Sequence, residues 1–142
     1  MPQYGEGYAG DGANAAHVNT VLGPRDGAVG QAWATGLATP SAGHARFVVV
    51  RAPNDPVVPY TLFVNKATID GERHAALTWE AAQAGVAEGV DRAVADGTVR
   101  GDLRTLALIA AVWVDPAADD HDQVRLANAD ATHAALVQGA RR

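Results

Sequence analysis

The hydrophobic and polar positions change period along the chain, and those changes mark out its elements. Gln3 to Tyr8 reads as a short strand. Ala15 to Leu22 reads as a second, stopped by Gly23-Pro24, and the alternation of strand side chains puts His17, Asn19 and Val21 on one of its faces. Val29, Trp33 and Leu37 recur every four residues, so Ala28 to Leu37 is predicted to be a helix. Arg46 to Ala52, β-rich at Phe47 to Val50, is the third predicted strand. Pro53, Pro56 and Pro59 stiffen the loop after it. Tyr60 to Ile69 is the fourth strand, with Leu62, Val64, Lys66 and Thr68 expected on a common face. A long helix is predicted over Glu72 to Ala95, ended by Asp96-Gly97. Thr105 to Val114 lacks polar alternation and reads as a strand buried on both faces. Asp119 and Asp120 suit the start of a last helix, running to about Val137, because acids favour the positive end of the helix dipole. Strands mixed with helices in this order predict an α/β (α+β) protein, a single mixed sheet covered by helices.

Composition narrows the class. The 142 residues are expected to form a single domain, 1–142, and 48% hydrophobic residues can supply its core. No repeat or interdomain linker stands out. With a net charge of −5 and no long basic run, nucleic acid is not expected as a partner. The chain has no cysteine, which removes disulfides and thiolate metal sites. No secretion signal or membrane-length apolar run is found, so a soluble, cytoplasmic protein is expected.

Candidate chemistry centres on two residues. An imidazole can donate and accept protons near neutrality, which makes His17 a candidate general acid or base, against the plainer reading of a satisfied histidine at a sheet end. Lys66, the only lysine, could hold an anionic or carbonyl group, or form a Schiff base if burial lowers its pKa; the plainer reading is an edge-strand lysine that deters aggregation. Gln83 could read a heterocycle edge if partly buried, or simply face solvent. The acidic run Asp119 to Asp122 fits a helix start better than a metal site, and no metal is expected. His44, His74, His121 and His133 lack metal-ligand spacing and are read as surface or structural. Gly10-Asp11-Gly12 has neither of the phosphate-loop patterns, and Arg100-Gly101-Asp102 reads as a turn.

Several segments together carry a resemblance: GEGYAGDGANAAHVN near the start, the turn GPRDGAVGQAWATGL, the proline loop and strand APNDPVVPYTLFVNKATI, and the helices AAQAGVAEGVDRAVADG and DDHDQVRLANADATHAAL. In this combination the chain resembles the formaldehyde-activating enzymes over nearly its whole length. The resemblance implies a carbon–nitrogen lyase of hydro-lyase type that condenses formaldehyde with tetrahydromethanopterin, in one-carbon metabolism or formaldehyde detoxification. It implies His17 as proton donor, and Asn19, Val48, Lys66, Thr68 and Gln83 as pterin contacts. It implies no tightly bound cofactor, with tetrahydromethanopterin as co-substrate. It further implies a fold like the second domain of ribosomal protein S5, with a left-handed crossover, and a homo-oligomer, a ring of five. The chain departs from the family pattern at Asn19, where an aspartate is usual, at Trp79 to Gln83, where Phe-Gly-Pro-Ala-Gln is usual, and at Leu126 to Thr132, which is tyrosine-rich in the family. These departures keep two further readings open: a relative that uses another amine acceptor, and a non-catalytic pterin- or aldehyde-binding module.

Overall fold

A computed structural model describes residues 2–141. The strands are β1 (Gln3–Ala9), β2 (Ala16–Pro24), β3 (Arg46–Val48), β4 (Val50–Ala52), β5 (Asp55–Pro56), β6 (Tyr60–Asn65) and β7 (Leu106–Val114). The helices are α1 (Ala28–Ala38), α2 (Gly71–Ala76), α3 (Gln83–Ala95) and α4 (His121–Ala140). A π-helical stretch, Leu77–Ala82, joins α2 to α3.

Five strands form the main sheet in the order β1-β2-β7-β6-β3, and β4 pairs with β5 in a separate ribbon. All neighbours in the main sheet are antiparallel except β6 and β7. A parallel pair needs a long crossover, and α2, the π stretch and α3 supply it. The class is the mixed α+β arrangement expected. The one mixed sheet expected is the five-stranded one, and the short β4-β5 ribbon lies beside it.

The two faces of the sheet differ because the strand side chains alternate. Ala16, Val18, Thr20 and Leu22 of β2 are buried, and so are Leu108, Ala110, Val112 and Val114 of β7. These meet the apolar faces of α3 and α4 at Val86, Val90, Val124 and Leu136. Burying such side chains contributes roughly 1.5–3 kcal/mol each before the entropy of ordering is charged. On the other face Ile109, Ala111 and Trp113 are only partly buried, which corrects the expectation that this strand is buried on both sides. The 11-residue α1 covers one end of that face. Trp33 Nε1 donates to Tyr60 O at 3.2 Å, and Arg46 Nη1 donates to Thr39 O at 3.1 Å. Beyond α1 the face is open.

Helix α4 lies unusually close to the edge strand β1. A Cβ at Gly5 would overlap Ala135 O, and one at Gly7 would overlap Ala131 O. Glycine at these positions lets the helix backbone touch the strand backbone. The residues between and beside them, Tyr4, Glu6 and Tyr8, therefore point to the open face.

Other predicted elements are corrected at their ends. The strand expected over Arg46 to Ala52 breaks at Val49, whose N–H donates to Thr61 O while its carbonyl accepts from Val57 N. Past that point the chain leaves the main sheet, and Val50 N–H donates to Gln83 Oε1 at 2.6 Å instead. The strand expected to reach Ile69 ends at Asn65, whose Nδ2 donates to Ala67 O at 2.7 Å and Gly43 O at 2.9 Å, turning the chain. Lys66 and Thr68 thus do not share one strand face. The helix expected over Glu72 to Ala95 is interrupted by the π stretch, and the last helix runs on to Ala140. Asp120 caps it by accepting from Gln123 N at 3.1 Å, as its place at a helix start suggested.

Candidate active site

The register of the sheet assembles the site. Tyr8 pairs with His17 across β1 and β2, and His17 pairs with Trp113 across β2 and β7. Lys66 lies one residue past β6, but its N–H still donates to Val112 O at 2.8 Å, so the ladder holds it level with Trp113. Four residues distant in sequence thus form one row across the open face. The next row runs Glu6, Asn19, Ala111 and Val64. Ala111 carries only a methyl group, which leaves the Lys66 side chain room to lean across β7 toward β2.

The polar atoms of these rows are mutually bonded. His17 Nε2 lies 3.0 Å from Glu6 Oε2, and His17 Nδ1 lies 3.1 Å from Lys66 Nζ. Lysine can only donate and a carboxylate can only accept, so the tautomer that satisfies both carries its proton on Nε2. Lys66 Nζ also donates to Asn19 Oδ1 at 2.7 Å, and Asn19 Nδ2 donates to Glu6 Oε2 at 3.4 Å. The four side chains close a ring of carboxylate, imidazole, amine and amide. The Tyr8 ring stacks on the imidazole, with centroids 4.1 Å apart and planes within 2°. Such a stack, added to two hydrogen bonds, leaves His17 little rotational freedom.

Electrostatics follow from these contacts. Hydrogen bonds from His17 and then Asn19 hold the Glu6 carboxyl below its ordinary range. Partial burial lowers the Lys66 amine, with the Glu6 charge acting in the opposite sense. The arrangement can pass a proton between an amine and a carboxylate through one imidazole, beside open space. A depression of about 250 Å3 lined by Tyr4, Gly5, Glu6, Asn19 and Gln138 adjoins it. A larger hollow of about 690 Å3 opens elsewhere, among Pro24, Arg25, Asp26 and Arg104. It contains no histidine or lysine, so volume and chemistry do not coincide, and the bonded cluster is the better guide.

The other residues expected at the site lie apart from this cluster. Val48 is on β3, at the opposite edge of the sheet from β1. Thr68 Oγ1 lies 3.0 Å from His44 Nε2, and His44 Nδ1 donates to Asn65 O at 3.0 Å, so Thr68 is engaged where the turn after β6 meets the loop before β3. Gln83 is in the helical layer, its carbonyl oxygen occupied by Val50 N–H. His74 is buried and structural: Nδ1 accepts from Asp70 N at 2.9 Å and Nε2 donates to Val114 O at 2.7 Å. His133 pairs with Asp96 at 2.6 Å. Among the described residues, no three His, Cys, Asp or Glu side chains converge as a metal site would require.

Sequence reasoning missed Glu6 and Tyr8. The signal was present, since Glu6 and Tyr8 are two apart, as are His17 and Asn19, and the two strands adjoin. What it lacked was the antiparallel register that matches the pairs.

Fold and cluster together describe a small α+β protein with an acid–base and amine centre on an open sheet face. Comparison with known proteins agrees with that description. A sequence model of the family described as formaldehyde-activating enzyme matches residues 4–142. The chain is 38% identical over 135 residues to a 5,6,7,8-tetrahydromethanopterin hydro-lyase of Methanosarcina barkeri, covering 94% of this chain and 76% of that protein. It is 37% identical over 137 residues to a bifunctional enzyme Fae/Hps of Methanosarcina mazei and, at 38%, to one of Methanococcoides burtonii, in each case over 96% of this chain. The chain spans only about a third of the length of these bifunctional relatives, 35%. The chain belongs to the formaldehyde-activating enzyme family.

Proposed function

We propose that the protein condenses formaldehyde with tetrahydromethanopterin, as a lyase of the hydro-lyase type. The observation that carries this reading is the bonded cluster of Glu6, His17 and Lys66 on the open face of a chain in this family. An amine of the pterin attacks the aldehyde carbon to give a carbinolamine, water leaves to give an iminium, and a second amine closes the methylene bridge. The carbon keeps its oxidation level throughout, so the step consumes no reductant or oxidant. His17 protonates the departing hydroxyl, and Asn19 orients the amine or the hydroxyl. Holding two reactants together accounts for up to ~7–11 kcal/mol in favourable cases.

Val48, Thr68 and Gln83 would meet the pterin away from His17, because they lie in other parts of the same chain. A homo-oligomer, a ring of five, would let one copy present the His17 cluster and a neighbour present those residues. Exposed aromatics beside the cluster, Tyr4 at 59% and Tyr8 at 67%, support such a neighbour. No helix among the described residues is long and apolar enough to cross a membrane, which is compatible with a cytoplasmic place of action.

The test follows pterin-dependent loss of formaldehyde against the spontaneous reaction. His17→Ala is expected to lower turnover ~10²–10⁴-fold while changing acceptor affinity little. An unchanged rate removes His17 from the reaction. A natural protein no faster than the spontaneous reaction overturns the assignment of the acceptor. Light scattering of the eluted protein tests the ring, which a clean monomer would contradict.

A further inference from the structure

Lys66 is bonded as a reacting group would be, beyond what an anchor for the pterin requires. It is the only lysine of the chain, it reaches across β7, and its Nζ meets one atom of the imidazole and one of an amide. An anchoring lysine would be expected to present its ammonium to an anion. Here the carboxylate in the cluster, Glu6, is bonded to the far side of His17. The imidazole nitrogen facing Lys66 is the unprotonated one, which can take a proton from the ammonium.

We propose that Lys66 captures formaldehyde covalently, as a protonated Schiff base, and hands the one-carbon unit to the acceptor amine. This rests on the reading of the protein as a formaldehyde-condensing enzyme and puts the Lys66 amine, in place of a pterin amine, in the first attack on the aldehyde. Lys66 passes a proton to His17 Nδ1 and its free amine attacks the aldehyde carbon, forming the C–N bond. The proton on the new ammonium moves to the alkoxide, giving a carbinolamine. His17 then returns its proton to the hydroxyl, which leaves as water, and the nitrogen lone pair forms the C=N bond. Net, the ammonium and formaldehyde become a methylene-iminium and water, with charge conserved. The acceptor's secondary amine adds to that carbon, its proton shifts to the Lys66 nitrogen, and the lysine departs as the free amine. The acceptor now carries the iminium, and the proton released when its second amine closes the ring restores the ammonium.

Glu6 stabilises the imidazolium that forms between these steps through the 3.0 Å contact at Nε2. Asn19 Oδ1 fixes the direction from which Nζ approaches. Burial makes the free amine easier to reach than in an ordinary lysine.

With one lysine in the chain, the intermediate can be trapped cleanly. The full-length protein is treated with dilute formaldehyde and cyanoborohydride at neutral pH, and the methylated peptides are followed by mass spectrometry. Arg100→Lys, on an exposed turn outside the cluster, provides a reference lysine in the same molecule. Lys66 is expected to be methylated at least about tenfold faster than that reference, and His17→Gln to remove most of the advantage. Equal rates would overturn the proposal. Lys66→Arg keeps the charge and loses the nucleophile, and it should lower pterin-dependent turnover by about 10²-fold or more. Retention of turnover within about twofold would also overturn it. Fast trapping without pterin-dependent turnover keeps aldehyde capture and removes the acceptor named above. Turnover without trapping keeps the condensation and removes the covalent step.

Discussion

Gly7→Ala should be among the most damaging single-methyl changes in this chain, and its cost can be reasoned from the packing. The added Cβ would overlap Ala131 O and sit 2.8 Å from Ala135 N and 3.0 Å from Ala131 C. All three are backbone atoms of α4, so no side chain can rotate away. Either β1 peels from β2 or the helix shifts outward and loosens Ala131, Ala135 and Leu136, which are now buried. Overpacking against side chains costs roughly 1–3 kcal/mol, and contact with rigid backbone belongs at the top of that range, about 3 kcal/mol. With a urea slope near ~2 kcal/mol/M, the unfolding midpoint should fall by about 1.5 M. The measurement is urea unfolding followed by circular dichroism, at one fixed protein concentration so that any assembly contributes equally. A midpoint lowered by less than ~0.3 M would refute the close approach of helix and strand. The same displacement moves Glu6 and Tyr8, on either side of Gly7, and should reduce activity even in the folded fraction.

Other outcomes follow from contacts outside the cluster. Asp96 is held at about 2, from an ordinary 3.8, by hydrogen bonds from Thr98 and from His133. A depressed carboxylate stabilises the fold above its unfolded pKa and loses that contribution as pH falls through the folded one. Asp96→Asn should therefore lower the melting temperature at pH 5 to 6, with the difference vanishing between about 3.8 and about 2; a difference independent of pH would remove the charge from the account. His74→Phe keeps a planar aromatic ring but leaves Asp70 N–H and Val114 O without partners. Its cost should be about 2–4 kcal/mol by chemical unfolding, and a neutral result would mean that water reaches those groups.

How far the chain could be read depended on which interactions set each feature. Elements fixed by local pattern were legible: β2 by its alternation, although it runs on through the expected stop at Gly23-Pro24, α1 by its four-residue spacing, α4 from its acidic cap. Features decided by a distant partner were not. The break at Val49 depends on Thr61, Val57 and Gln83, and the end of β6 on an Asn65 side chain bonded to Gly43 and Ala67. The π stretch Leu77–Ala82 has an ordinary helical composition, so nothing in its residue types announced it. His17, Asn19 and Lys66 were legible as candidates one at a time. Their bonding as one unit required the order β1-β2-β7-β6, which no local pattern encodes.

Asn19 illustrates how a substitution changes meaning once its neighbours are known. Read along the chain, asparagine in place of the aspartate usual in the family removes a negative charge beside His17. In the folded protein a carboxylate is already there, because Glu6 pairs with Asn19 across β1 and β2 and reaches His17 Nε2. The amide then does what an aspartate cannot. Its oxygen accepts from Lys66 while its nitrogen donates to Glu6, joining the two ends of the cluster without adding a charge. An aspartate would retain the acceptor for Lys66 and set a second carboxylate beside Glu6, which favours protonation of one of the pair. The charge that supports an imidazolium thus comes from β1, and Asn19 ties that carboxylate to the amine. Divergence at this position alters how the acid and the amine are coupled and leaves both in place.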